Sequence, residues 1–334
     1  VAGYESLNWK DCYEKAAYYA GIIMGRNPDV SYGTYRLLSF DELWKKSGFD
    51  ESEHMFSVRT RSADEEYGNG VHQWYCGMQD AGGVLQKGPW VGNRFHWYCL
   101  FDNEDYRITK GVKHRFQYDS QVKNGRGYYY PGTPEYKLMA TGKNMDDVKV
   151  QEPVAPFNDG LTYTNSISSN CLAFTTKYAD VTDPTIGRTD AYWPFLRYAD
   201  IVLIYAEAQC ELNDGISQDA IDALNDIRIR SNAKEASVTG DGAIETKVEL
   251  RSVIFEERAK ELAYEGDRRW DLLRWGIYLD VMNSLGGINE DGTRTPYDEG
   301  SINKRREFRH LLYPLPSLEV STNMAIDKNN PGWN

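Results

Sequence analysis

Between Phe195 and Leu285 the chain carries two successive pairs of helical segments, each bounded by its own stop and cap signals, and that pattern commits the fold to packed helices. Leu196, Ala199, Leu203, Ala206 and Cys210 recur at helical spacing from Phe195 onward, and Asp214-Gly215 supplies a stop. Ser217 is placed to cap the next helix, which buries Ala220, Ile221, Leu224 and Ile227 and ends near Ser231. After a polar loop, Thr246-x-x-Glu249 has the capping-box pattern and opens a helix to Glu265. Gly266 suits a left-handed helix end, and Asp267 can cap a partner that runs to about Leu285. The two hairpins predict a mainly α, tetratricopeptide-like array, although the tryptophan and proline signature of that repeat is absent.

The rest of the chain is organised around these helices. Trp9, Tyr13, Ala16, Ala17, Ala20 and Ile23 predict an amphipathic helix within Leu7 to Met24, and a shorter one is expected from Ser39 to Lys46. From about Asp50 to Trp193 the helical period disappears, glycine and proline become frequent and aromatics cluster, which reads as long ordered loops with short strands. The tail, with Tyr313-Pro314-Leu315-Pro316 and Asn330-Pro331-Gly332-Trp333, is expected to wrap over the helices. The expected organisation is one domain over 1–334: 1–50 helical, 51–194 a loop-rich ligand-binding insertion, 195–285 two helical hairpins and 286–334 a wrapping tail.

Charge narrows the partners. With 38 Lys plus Arg against 50 Asp plus Glu, the formal charge of -12 disfavours nucleic acid and anionic membrane surfaces. No run of apolar residues reaches the length of a transmembrane helix. The sequence opens at Val1 with no charged-then-apolar leader, as a processed chain or a piece of a longer one would. Its 5 cysteines have no metal-binding spacing; they read as mostly buried thiols, with a Cys76–Cys99 bridge the one alternative in an oxidising compartment.

Catalytic and metal motifs are missing. His54, His72, His96, His114 and His310 are scattered and form no nucleophile or zinc motif. Asp102-Asn103-Glu104-Asp105 lacks the glycine and spacing of a calcium loop, so no cofactor is expected beyond room for a structural calcium. Glu261 and Glu265, four apart, sit at the separation of a retaining glycosidase pair. On an apolar helix, however, they read as an internal ionic cluster held by Arg258, Arg268 and Arg269.

Several ordered motifs resemble the SusD/RagB family. They are Leu196-Arg197-Tyr198-Ala199-Asp200, Tyr205-Ala206-Glu207-Ala208, Leu224-Asn225-Asp226-Ile227-Arg228, and the run from Glu257-Arg258 through Glu265-Gly266-x-Arg268 to Arg274-Trp275. Glu53-x-Met55-Phe56-Ser57-Val58, Asp105-Tyr106-Arg107, Tyr313-Pro314-Leu315-Pro316 and Asn329-Asn330-Pro331-Gly332-Trp333 extend the likeness. The resemblance covers nearly the whole chain and matches roughly the C-terminal two thirds of that family, without its lipoprotein cysteine and early helices. It implies a SusD-like fold decorated by long loops. It also implies a surface-exposed outer-membrane protein that binds an oligosaccharide or polysaccharide without catalysis and passes it to a SusC-like TonB-dependent transporter. Membrane attachment would be only through an N-terminal lipid anchor outside this chain. Peptide binding or a protein-scaffold role is the alternative on the same fold.

Sugar capture asks for flat apolar faces that stack on pyranose C–H groups and planar polar groups that bridge hydroxyls. The aromatic content, with 24 Tyr, 9 Trp and 11 Phe, supplies such faces, and the segment Gln73 to Trp97 offers both kinds. Trp74, Tyr75, Trp90 and Trp97 are the candidate platforms; Gln79, Asp80, Asn93 and Arg94 are the candidate hydrogen-bonding groups. Any one of these aromatics could instead pack the loop layer onto the helices. Tyr128 to Tyr130 form a second candidate strip, and Trp270, Trp275 and Trp333 read as core or anchoring residues.

Overall fold

The computed structural model describes residues 7–28, 30, 34–48, 52–62, 67–80, 82–92, 97, 100–102, 104–113, 115–117, 124–127, 162–164, 174–284 and 306–333. Asn93, Arg94, Cys99, Tyr128 to Tyr130 and the first part of the tail lie outside the described residues. The chain divides into two compact units, one of residues 1–136 with 145–265, the other of 137–144 with 266–334.

Four long helices build the first unit: α1 (Trp9–Ile23), α2 (Tyr198–Leu212), α3 (Gln218–Arg230) and α4 (Lys247–Glu261). Each begins where side chains can satisfy free N–H groups. The Asn8 side chain accepts from Lys10 N at 2.9 Å, Ser217 Oγ accepts from Ala220 N at 3.2 Å, and Thr246 with Glu249 forms a reciprocal capping box. The core lies where α2 meets its neighbours. Ala199, Leu203, Ala206 and Cys210 of α2, Ala220, Leu224 and Ile227 of α3, and Leu250 and Ile254 of α4 are all fully enclosed. α1 joins along a narrow strip through Ala20. Gly21 allows the approach, since a Cβ there would stand 3.3 Å from the Tyr205 ring.

Two elements differ from expectation. α2 does not start at Phe195: Trp193–Arg197 is a strand (β2) paired antiparallel with β1 (His54–Val58), His54 opposite Arg197 and Val58 opposite Trp193. Pro194 disfavours a helical residue before it, and Phe56 stacks across the ladder on Phe195, ring centres 5.6 Å apart. α4 stops at Glu261 instead of Glu265, because Tyr264 turns left-handed (φ 69°) and its carbonyl accepts from Tyr178 Oη at 2.8 Å.

Elsewhere in this unit the described loop region forms two-stranded ribbons, Met78–Gln79 with Leu85–Lys87 and Val112–Lys113 with Phe174–Thr175. Arg115–Gln117, Asn124–Gly127 and Thr162–Thr164 make a third, three-stranded sheet.

In the second unit the helix expected from Asp267 to Leu285 is two helices, α5 (Arg268–Arg274) and α6 (Tyr278–Ser284). Gly276 in the left-handed region (φ 73°) breaks it between them. Asp267 makes no side-chain cap on α5. Arg269 lies against the rings of Tyr278 and Tyr313, 4.8 and 4.4 Å from their centres, and donates to His310 O at 2.9 Å. Trp333 Nε1 donates to Arg309 O, tying the end of the tail to Phe308–Leu311. Trp270, expected as a core or anchoring residue, is 58% exposed and so not core, its ring centre 6.4 Å from that of Tyr313.

The Thr246 cap should be measurable on its own. Thr246→Ala is expected to lower unfolding free energy by about 1 kcal/mol in a urea titration, the usual cost of losing such a cap.

Candidate functional site

A short helix, Val71–Cys76, and the ribbon that follows it shape the loop face that carries the candidate platforms. Asn69 fixes its entry: Oδ1 accepts from Val71 N at 3.0 Å and Nδ2 donates to Ala191 O at 2.7 Å, while its backbone bridges Thr189. Val71, His72 and Cys76 point inward, His72 Nδ1 donating to Tyr178 O at 2.8 Å. Helical spacing therefore leaves Trp74 on the outer side, 43% exposed. Its indole lies along the backbone of Gly70, where a Cβ would come within 2.8 Å of the ring.

Gly77, left-handed at φ 75°, ends this helix and turns the chain into the ribbon. Asp80 closes the ribbon's turn, its Oδ1 accepting from Gly82 N and Val84 N at 2.9 and 3.0 Å. The returning strand then delivers Trp90. Both Trp90 N and Val91 N donate to Trp74 O at 2.9 Å, so one carbonyl holds the two tryptophans side by side in the chain path. Trp90 is 74% exposed.

The structure thus separates the sequence candidates. Trp74 and Trp90 are both exposed, and their backbones adjoin; this pair is termed the tryptophan ridge. Gln79 and Asp80 lie on its flank, half-buried; Asp80 is committed to the turn, and Gln79 N donates to Pro184 O at 3.1 Å. Tyr75 and Trp97 turn to packing. Tyr75 contacts Tyr178, Trp193 and Tyr264, ring centres 5.4 to 6.0 Å apart, and burial raises its phenol pKa. Trp97 Nε1 donates to Ala259 O at 2.7 Å, with its ring against Phe101 and Tyr264. Cys76 is a free thiol, not half of a bridge; burial pushes it up to about 12, and it donates to Thr175 O.

Beneath this aromatic layer lies an ionic cluster. Arg197, at the end of β2 and 1% exposed, donates from Nε to Glu265 (2.6 Å), from Nη1 to Glu53 (2.6 Å), and from Nη2 to Glu261 (3.0 Å) and Glu265 (2.8 Å). Arg230 Nη2 reaches Glu261 at 2.6 Å, and Lys177 Nζ reaches Glu265 at 2.6 Å. Arg107 joins Asp105 and Glu257, and Arg228 completes Glu257 at 2.8 Å. Five cations thus face five carboxylates within the first unit. Burial alone would raise the carboxyl pKa values, but Arg230, Arg197 and Arg107 hold Glu261 well below its ordinary range. Arg197 and Lys177 do the same for Glu265.

These partners correct the sequence expectation. Arg258 pairs with Asp200 at 2.8 Å instead, and Arg268 and Arg269 belong to the second unit, Arg269 donating to Tyr278 Oη. Glu261 and Glu265 grip a single guanidinium, ionised and buried, which is the opposite of an acid and a nucleophile flanking a scissile bond. Among the described residues no group of three or more His, Cys, Asp or Glu could hold a metal ion. Arg197, Glu53, Lys177, Arg107 and Arg230 went unrecognised in the sequence as members of one cluster, being spread from 53 to 230; Glu53, Arg107 and Arg197 stood within the family-like motifs, Lys177 and Arg230 outside them.

A family model, the SusD family, matches residues 79–333. Over 142 residues the chain is 33% identical to SusD-like protein P2 of Formosa agariphila, a stretch covering 41% of this chain and 25% of that protein. A SusD homolog from Bacteroides thetaiotaomicron superposes with a TM-score of 0.62 at 20% identity, covering 98% of this chain and 61% of its own. Surface glycan-binding protein A from Bacteroides thetaiotaomicron, in complex with laminarihexaose, superposes at 0.57 and 19% identity, covering 96% and 59%. This chain therefore spans about a quarter of the length of that curated relative and about three fifths of the solved structures.

Two measurements test the cluster. Glu261→Gln should cost about 3–5 kcal/mol in urea unfolding, as expected when one partner of a buried ionic group is removed. His54, whose Nε2 donates to Leu43 O beside the cluster, gives a pH signature. Burial, with Arg197 nearby, lowers its pKa from 6.5 to about 4. Protonation therefore favours the unfolded chain, so the stabilisation is complete above pH 6.5 and fades as pH falls toward 4. In thermal melts at pH 7.5 and 5, His54→Gln should lose less stability on acidification than the parent.

Proposed function

The chain belongs to the SusD family, and on that premise we propose that it captures an oligosaccharide or polysaccharide on the Trp74–Trp90 ridge without turning it over. The observation that carries this reading is the pairing of two exposed indoles on one backbone carbonyl. It brings two exposed indoles onto one stretch of surface, where flat apolar faces are available to a sugar ring. Gln86 and Lys87, exposed on the adjoining strand, offer hydrogen-bonding groups at the edge of the ridge. The laminarihexaose complex of the solved relative supports an oligosaccharide as the ligand class. The carboxylates nearest to a glycosidase arrangement are spent on Arg197, which supports capture over hydrolysis.

The same reading places the protein at the cell surface, on the outer membrane as a lipoprotein, delivering its ligand to a SusC-like TonB-dependent transporter. The family supports this placement and partner. Among the described residues no helix is long and apolar enough to cross a membrane.

Native gels cast with a panel of polysaccharides test the proposal. One polysaccharide is expected to retard the parent, and Trp74→Ala or Trp90→Ala should weaken that retardation by about tenfold, the loss of roughly 1.4 kcal/mol of stacking. Equal retardation of parent and both variants would move the site elsewhere, and release of reducing sugar during the assay would overturn the non-catalytic reading.

A further inference from the structure

A second recess in the first unit shares no residue with the tryptophan ridge. It is an open groove of about 600 Å³, within the roughly 300–1,000 Å³ of small-molecule sites. Its walls are aromatic: Tyr35 stacks on Tyr198 with ring centres 6.5 Å apart, and Tyr106 packs against Phe40. Its charges are unevenly spent. Asp41 is neutralised by Lys110 at 2.8 Å, and Asp226 by Arg26 at 2.7 Å. Arg230 points its guanidinium at Glu53 and Glu261 of the buried cluster. Arg36 is left at the exposed rim, and among the described residues no acidic side chain pairs with it.

Arg offers a planar fork that matches a carboxylate by two parallel hydrogen bonds. The phenol rings offer faces for the C–H side of a sugar and hydroxyls for its edge. We propose that this groove is a separate binding site for an acidic saccharide, a uronic-acid unit whose carboxylate is held by Arg36 while its ring lies against Tyr35, the Tyr106 face being covered by Lys110 Nζ at 3.9 Å. The ridge and the groove then read different parts of a ligand: the ridge takes neutral sugar faces, the groove a carboxylate.

The test is calorimetric titration of the parent, Arg36→Gln and Trp74→Ala with glucuronate-containing and galacturonate-containing disaccharides, each against its neutral counterpart. The expected result is that at least one acidic disaccharide binds the parent ten times or more tighter than its neutral counterpart. Arg36→Gln should abolish that difference, rising salt should weaken it, and Trp74→Ala should leave it intact. Arg36 is exposed, so its replacement leaves the fold in place, which a thermal melt verifies. Failure of every acidic disaccharide to bind, retention of the preference in Arg36→Gln, or its loss in Trp74→Ala would overturn the proposal. Failure of neutral polysaccharides to respond to the ridge variants would instead count against the ridge alone.

Discussion

Arg197 is the point on which the first unit turns. Its guanidinium is shared among Glu53, from the turn before β1, Glu261, at the end of α4, and Glu265, from the turn beyond it. Two chain segments far apart in sequence therefore converge on a charge supplied by a third. Moving several charges out of water costs much of what their attraction returns, so the value of such a cluster lies as much in uniqueness as in strength. A misaligned β1–β2 register would leave Arg197 or one of the acids buried without a partner. Glu53 also accepts from Leu38 N and lies near Arg230, which ties the Tyr35–Phe40 segment and α3 to the same centre.

This anchoring seats the aromatic loop layer on the helical frame. Tyr264, held left-handed just before Glu265, packs on Tyr75 and Trp97 and accepts from Tyr178. The aromatic layer thus sits directly on the end of α4. Tyr75 is the inward residue next to Trp74, so seating Tyr75 fixes the outward neighbour. Trp74 is thus set by its buried neighbour, and Trp90 by its backbone bond to Trp74.

Much of the helical frame was legible in the sequence because its signals are local. The Thr246–Glu249 box, the Ser217 cap and the apolar stripes of α2 and α3 each act within one or two turns of chain. The breaks in that legibility have equally local or non-local causes. Gly276 could have been read as a helix end, and Pro194 as a bar to a helix at Phe195. The early stop of α4 could not, because Tyr264 is turned by contacts with Tyr75, Tyr178 and Trp97, which are distant in sequence.

For the candidate site the division is similar. The sequence by itself determined that aromatics and polar groups are concentrated between Gln73 and Trp97, and that Glu261 and Glu265, set in an apolar stretch, need cationic partners. Which indoles face solvent, and which arginines answer those acids, only the tertiary structure decided. A side chain's direction follows from helix phase, strand pairing and the packing of its neighbours, and those depend on segments brought together across the whole unit. Composition places Trp74, Tyr75, Trp90 and Trp97 in one class; packing against Tyr178, Tyr264 and Ala259 divides them into two exposed and two packed residues.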